Sequence, residues 1–93
     1  MKTFYFDTET YPIRPGLMAP KLVCLQHAYD EDEPRVVLAK DSVGIFYEAF
    51  TNPNVLCEAH NEPFDLAVAA AHAEDLVQPI FRMLAEGRGR DTQ

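Results

Sequence analysis

Glycine and long apolar runs are scarce in this sequence. It contains 4 Gly and 7 Pro among 93 residues, whereas 47% of the residues are hydrophobic and 25% are charged. This balance excludes a disordered tail, a collagen-like repeat and a low-complexity linker. The length predicts one small domain with a thin core, and we find no internal repeat or domain boundary.

Membrane and secretion signals are also missing. No apolar run approaches the roughly 18 residues that cross a bilayer. The first residues enter a strand-like pattern that contains acids, which is not typical of a signal peptide. The two cysteines, Cys24 and Cys57, lie far apart in apolar contexts. They indicate reduced, buried thiols in a cytoplasmic protein, with a disulfide as the alternative.

Basic residues are few. The net charge is -7, from 15 acidic against 8 basic residues. An acidic surface repels phosphate, which disfavours simple electrostatic binding of nucleic acid. Acids gathered at one site are the exception, because they can hold divalent cations that then meet the phosphate.

The order of elements predicts an α/β fold with a mixed sheet. Strands are expected at 2–9, 21–29, 35–39 and 55–59, with a stiff loop at 10–20 and a hairpin turn at 30–34. A helix capped by Asp41 or Ser42 follows strand three, with Val43, Phe46, Tyr47 and Phe50 on one face. A second helix begins at Asn61, and Pro79 breaks or kinks it before a helical piece at 80–86. The order is therefore β-β-β-α-β-α, followed by an extended stub at 88–93.

Three acids stand out by position. Asp7 and Glu9 lie two residues apart on the first strand, so both project from one face with Cβ atoms roughly 6.5 to 7 Å apart. Asp65 lies in the first turn of the second helix, where the helix dipole offers partial positive charge. An Asp-x-Glu pair alone is typical of a solvated face. Its aromatic neighbours favour a central strand instead, where buried carboxylates need a metal ion.

The residues around these acids resemble a known family. Phe4-Tyr5-Phe6-Asp7-Thr8-Glu9-Thr10 resembles the first motif of the DEDD superfamily of 3′–5′ exonucleases. Ala59-His60-Asn61-Glu62-Pro63-Phe64-Asp65 resembles the second, His-Asn-x-x-Phe-Asp. The most similar branch is the proofreading domain of bacterial and phage family A DNA polymerases. The resemblance implies a ribonuclease H-like fold. It also implies a location in the cytoplasm of a bacterium or of a phage-infected host.

The chemistry that the resemblance implies is hydrolysis of the DNA 3′ end by two metal ions. Asp7 would bridge both ions, Glu9 would help hold the ion that activates water, and Asp65 would serve the ion at the leaving oxygen. Carboxylate oxygens suit Mg²⁺ or Mn²⁺. A single-stranded DNA 3′ end is the expected partner, with a polymerase domain as a possible neighbour in the chain.

Further residues match the family's substrate-binding positions: Thr8, Thr10, Leu17, Met18, Asn61 and Phe64. Four of them also have a structural alternative. Asn61 is as well suited to capping the second helix. Phe64 favours the core over base stacking, and Leu17 and Met18 either wedge against the last base or cover the core.

The family's third motif, a fourth acid preceded by Tyr or His, is absent. His27, His60 and His72 do not match the family's general base. We therefore expect residues 1–93 to be the N-terminal part of an exonuclease domain, and expect the chain alone to cleave DNA poorly.

Two other readings stay open. One is a non-catalytic ribonuclease H-like remnant that binds nucleic acid or protein, and the other is an unrelated α/β protein. The acids at 30–33 suit a solvated hairpin tip better than a metal loop. Arg82, Arg88 and Arg90 either meet a DNA backbone or interact with a helix C-terminus.

Overall fold

A computed structural model describes residues 1–12, 15–16 and 19–92 of the chain. The strands are β1 (Lys2–Thr10), β2 (Leu22–Tyr29), β3 (Arg35–Leu38), β4 (Val55–Ala59) and β5 (Gly89–Asp91). The helices are α1 (Val43–Thr51), α2 (Glu62–His72) and α3 (Val77–Ala85). Short 3₁₀ turns at Ala39–Asp41 and Glu74–Leu76 precede α1 and α3. The predicted α/β class and order of elements are confirmed.

The five strands form one mixed sheet in the order β3-β2-β1-β4-β5. β1 pairs antiparallel with β2 and parallel with β4, and β5 pairs parallel with β4. β2 and β3 form the predicted hairpin. The chain therefore crosses from β3 to β4 through α1 and from β4 to β5 through α2 and α3, as parallel neighbours require.

The two faces of β1 differ sharply. Phe4, Phe6 and Thr8 are buried on the face that the helices cover, which we call the helix face. Phe6 makes edge-on contacts with the rings of Phe46 and Phe50, which belong to α1. Tyr5, Asp7 and Glu9 alternate onto the opposite, open face, where each is exposed. The period-two pattern of the sequence predicted this division correctly.

The start of α1 departs from prediction. Ser42 occupies the N-cap position, but its hydroxyl makes no cap hydrogen bond and instead donates to the carbonyl of Ala39 at 2.7 Å. The predicted side-chain cap is therefore wrong, because the preceding 3₁₀ turn offers a carbonyl within reach. Phe46 and Phe50 are fully buried as expected, but Tyr47 is exposed and Ala49 takes its place in the core.

The helix break lies earlier than predicted. α2 ends at His72, and Ala73 adopts an extended conformation. Pro79 is buried in the first turn of α3 and does not break a helix there. A first-turn proline is tolerated because its missing N–H would have had no helical partner. The alanine-rich run at 67–73 therefore did not predict that α2 ends at His72.

α3 ends in a Schellman motif at Gly87. The N–H of Gly87 donates to Leu84 O at 3.0 Å, and that of Arg88 donates to Met83 O at 3.1 Å. Gly87 has φ of 72°, a left-handed conformation that glycine adopts at little cost. The predicted end of this helix at Gly87 is confirmed, and the reversal leads the chain into β5.

Two negative findings concern the described part of the chain. Cys57 is buried on the helix face and Cys24 is partly exposed on β2, and neither forms a disulfide. Among residues 1–12, 15–16 and 19–92, no helix is long and apolar enough to cross a membrane.

Candidate functional site

The acids of the first motif lie on the open face of the sheet. Asp7 and Glu9 are both exposed on β1, and their neighbours on β2 are Gln26 and Cys24. The expectation that these carboxylates are buried is wrong. Although β1 is the central strand, the helices cover its other face, so water solvates both acids. Their projection from one face is confirmed.

The acid of the second motif reaches β1 from the helix side. Asp65 is 3% exposed in the first turn of α2, and its N–H donates to Asn61 O at 3.0 Å. The hydroxyl of Thr8 donates to Asp65 Oδ1, and the Thr8 N–H donates to the same oxygen at 3.3 Å. The second motif is thus tied to the residue between the two acids of the first motif.

Electrostatics link the three carboxyls. Burial raises the pKa of Asp65, the two hydrogen bonds from Thr8 lower it, and the charges of Asp7 and Glu9 raise it again. Burial has the largest effect because removing a carboxylate from water favours its neutral form. The influence of Asp7 and Glu9 places their negative charges within interaction range of Asp65.

The carboxylate oxygens of these acids suit a hard cation, but Asp7 and Glu9 do not converge with Asp65 on one point. Carboxylate oxygens are the ligands that Mg²⁺ and Mn²⁺ prefer, and mutual repulsion among these carboxyls would be relieved by a cation. However, residues 1–12, 15–16 and 19–92 contain no group of three or more His, Cys, Asp or Glu side chains gathered to hold a metal ion. Asp7 and Glu9 face solvent, whereas Asp65 faces Thr8.

The other predicted site residues are divided between several environments. Thr8 is 7% exposed and holds Asp65, and Thr10 is half-buried at the end of β1 after a register shift. Leu17 and Met18 lie outside the described residues. Asn61 occupies the N-cap position of α2, but its exposed side chain makes no cap hydrogen bond. Phe64 packs partly against the core.

A cleft of about 490 Å³ borders Asp7. Its walls include residues from three neighbouring strands and the turn after β4: Tyr5, Gln26, Glu58 and His60. A groove of about 1000 Å³ between α1 and α3 is larger but is lined by none of the motif acids. The smaller cleft is therefore the relevant space beside the first motif.

The three histidines occupy different settings. His60 is exposed in the cleft beside Asp7. His72 is half-buried at the end of α2, and its Nε2 lies 2.9 Å from Ala39 O. His27 packs against the ring of Phe4, and within the described chain its ring nitrogens have no hydrogen-bond partner. Burial and the nearby Arg35 lower the pKa of His27.

Sequence reasoning missed the burial of two charged residues, Glu62 and Arg88. Arg88 donates to Phe50 O at 2.6 Å and Val55 O at 2.8 Å, and it pairs with Glu86 at 2.9 Å. Arg88 thus supplies hydrogen-bond donors to carbonyl groups at the C-terminus of α1. The expected interaction with a helix C-terminus is therefore confirmed for this arginine, and the helix is one that lies far from it in sequence. An Arg directly after a helix-ending Gly gives no sequence signal of this role.

Comparison with known proteins supports the fold. The chain is similar to the crystal structure of the Aedes aegypti Nibbler EXO domain, with a TM-score of 0.56 and 15% identity. The match covers 84% of this chain and 36% of that one, so this chain spans about a third of the neighbour's length. No protein-family model and no curated protein sequence matches the chain. The predicted α/β fold with a mixed sheet is confirmed, and the chain shares its ribonuclease H-like fold with that EXO domain.

Proposed function

We propose that the chain is part of a metal-dependent 3′–5′ exonuclease domain that hydrolyses the terminal phosphodiester bond of single-stranded DNA. The observation that carries the proposal is the approach of Asp65 to β1, where its carboxyl accepts hydrogen bonds from Thr8, the residue between the two acids of the first motif. The likeness of the fold to an exonuclease domain supports the same class of activity. The first motif's likeness to polymerase proofreading domains makes DNA proofreading the specific role that we propose.

Each acid has a distinct task in this proposal. Asp7 and Glu9 present carboxylates on the open face, where substrate and cations reach them without displacing a helix. Asp65 supplies a third carboxylate, whose orientation Thr8 fixes. The terminal nucleotide would occupy the cleft beside Asp7. Thr10, Asn61 and Phe64 do not line this cleft, so their proposed contacts with the nucleotide, like those of Leu17 and Met18, rest on the motif resemblance.

Asp7, Glu9 and Asp65 would hold Mg²⁺ or Mn²⁺, two ions in the complete site. Bound there, the ions would activate water and neutralise charge that develops on the phosphate. Because the sequence supplies three of the family's four acids and no matching base, we expect cleavage by this chain alone to be slow.

Stabilisation by Mn²⁺ is the direct test. A metal that binds only the folded state at about 100 times its Kd adds ~2.7 kcal/mol to the free energy of unfolding. We expect urea unfolding to show this gain for the unaltered chain and to show little gain for Asp7→Asn. Asp32→Asn, at the exposed tip of the β2–β3 hairpin, is the matched control and should keep the full gain.

Digestion of a 3′-labelled single-stranded DNA with Mn²⁺ completes the test. We expect slow loss of 3′ nucleotides that Asp7→Ala abolishes. Mn²⁺ stabilisation without cleavage would favour a non-catalytic remnant. Absence of both stabilisation and cleavage in the unaltered chain would contradict the proposal.

A further inference from the structure

Glu62 is a buried carboxyl that joins α2 to β5. The residue is 6% exposed at the first position of α2. Its Oε2 accepts a hydrogen bond from the backbone N–H of Arg90 at 3.1 Å. Arg90 lies in the middle of β5, at the edge of the sheet. This contact therefore connects an edge strand to the helical turn that also carries Asp65.

The backbone of β5 is shaped to admit this carboxyl. A Cβ atom placed on Gly89 would lie 2.4 Å from Glu62 Oε1 and 2.9 Å from a methyl carbon of Leu84. Any side chain at position 89 would therefore displace the carboxyl. Gly89 is needed here for the close approach, not for an unusual backbone angle.

The surroundings of Glu62 are acidic. Glu58 from β4, Asp91 from β5 and Asp65 from α2 all act on it electrostatically. Within the described residues no ion pair involves Glu62, and the Arg90 guanidinium instead lies 3.4 Å from Glu58. A buried carboxylate with acidic neighbours and one backbone donor is poorly compensated.

These conditions raise the pKa of Glu62 to about 7. Burial is the largest cause, and repulsion from Asp91, Asp65 and Glu58 adds to it, while the Arg90 N–H lowers the pKa. The neutral carboxyl is thus favoured in the folded chain over a wide pH range in which an unfolded Glu is ionised.

We propose that Glu62 is a proton-dependent latch that holds β5 against the first turn of α2 and releases it when the carboxylate forms. The Arg90 N–H favours the carboxylate, but burial disfavours it more strongly, and three acids add to that effect. Ionisation would therefore draw the carboxylate toward water and break the hydrogen bond to Arg90. The proposal does not rest on the nuclease activity proposed above, because the contacts of Glu62 with Arg90 and Gly89 are observed whether or not the chain cleaves DNA. The effect of the latch on the nuclease site would pass through the α2 turn that positions Asp65.

The sign of the pH effect follows from linkage. Because the folded-state pKa lies above the unfolded value, the stabilising effect is complete below about pH 4.5 and is lost as pH rises toward about 7. Over that window each pH unit raises the unfolding equilibrium constant at most about tenfold through this group. The raised pKa of Asp65 makes stability fall with pH in the same direction. The effect of Glu62 is therefore measured as the difference between the unaltered chain and Glu62→Gln.

The test combines carboxyl ¹³C NMR with urea unfolding from about pH 5 to about pH 8. In the unaltered chain we expect the Glu62 carboxyl to titrate near 7. Between about pH 5 and 7 we expect roughly a tenfold or greater rise in the unfolding constant. Glu62→Gln keeps the shape and an acceptor for Arg90, so it should remove most of that rise. Glu74→Gln, on an exposed residue, should leave it unchanged.

Gly89→Ala provides a second variant that leaves the carboxyl in the chain. The added methyl should displace Glu62, lower its titration midpoint toward that of an ordinary Glu and reduce the exchange protection of the Arg90 amide. Gly44→Ala, where the new methyl meets open space, should change neither. A Glu62 midpoint near 4.5 in the unaltered chain, or an unchanged midpoint in Gly89→Ala, would overturn the proposal. So would identical pH profiles for Glu62→Gln and the unaltered chain.

Discussion

The charged residues of this chain fall into two groups that the sequence does not distinguish. Glu62, Asp65 and Arg88 are buried on the helix side of the sheet, each with at least one hydrogen bond to backbone. Asp7, Glu9 and Arg90 are exposed, Asp7 and Glu9 on the open face. Arg88 and Arg90 are only two residues apart, yet the first is 4% exposed and the second 59%.

The difference shows that position in the fold, more than residue type, decides what a charge does here. Buried charges fix the structure, because each must be compensated and leaves an unsatisfied group when its partner is removed. Exposed charges are free to meet ligands and add little to stability. The proposed catalytic acids combine both groups, with Asp7 and Glu9 presented to solvent and Asp65 held from within.

The largest expected effect is that of Arg88→Met. The substitution leaves carbonyls at the end of α1 without their donor and removes the pair with Glu86. Because each buried carbonyl left without a donor costs ~1–3 kcal/mol, we expect a loss of about 3–5 kcal/mol in the free energy of unfolding, measured by urea denaturation. Arg82→Met, on an exposed residue of α3, is the control and should cost well under half as much. Equal losses in the two variants would mean that burial does not decide how much each arginine contributes to stability.

A smaller effect is expected from Thr8→Val. The valine keeps the shape but removes the hydroxyl that donates to Asp65, so we expect a loss of about 1–3 kcal/mol. The pKa of Asp65 should rise further, because that hydrogen bond favours the carboxylate. Carboxyl NMR and urea unfolding measure the two changes. Thr10→Val, at a half-buried position, should leave the titration of Asp65 in place.

The smallest effect concerns the Arg90–Glu58 pair, whose atoms lie 3.4 Å apart. A double-mutant cycle with Arg90→Gln and Glu58→Gln should give a coupling below about 1 kcal/mol that fades at high salt. A coupling as large as the loss in Arg88→Met would erase the distinction between buried and exposed charges.

Much of the fold was predictable because it depends on local patterns. The alternation in β1 assigned Phe4 and Phe6 to the core and Asp7 to the opposite face. Helix boundaries were less accurate. The alanine-rich run gave no reason to end α2 at His72, and Pro79 was equally compatible with a break and with a first turn.

The candidate site was predictable only in part. The motifs identified Asp7, Glu9 and Asp65, and the fold brings the second motif to the first through Thr8. Which face the helices cover depends on packing between elements distant in sequence. The burial of Asp7 and Glu9 was therefore predicted wrongly, and Glu62 was not recognised at all.

The sequence by itself determined the order of elements, the alternation of β1 and the carboxylates available for a metal, because each depends on neighbouring residues. The tertiary structure alone decided which charges are buried. It brought Arg88 to the end of α1 and Glu62 to β5 through contacts that span 38 and 28 positions of the chain. Burial depends on these long-range contacts, and burial sets the pKa and the stabilising effect of a charged group.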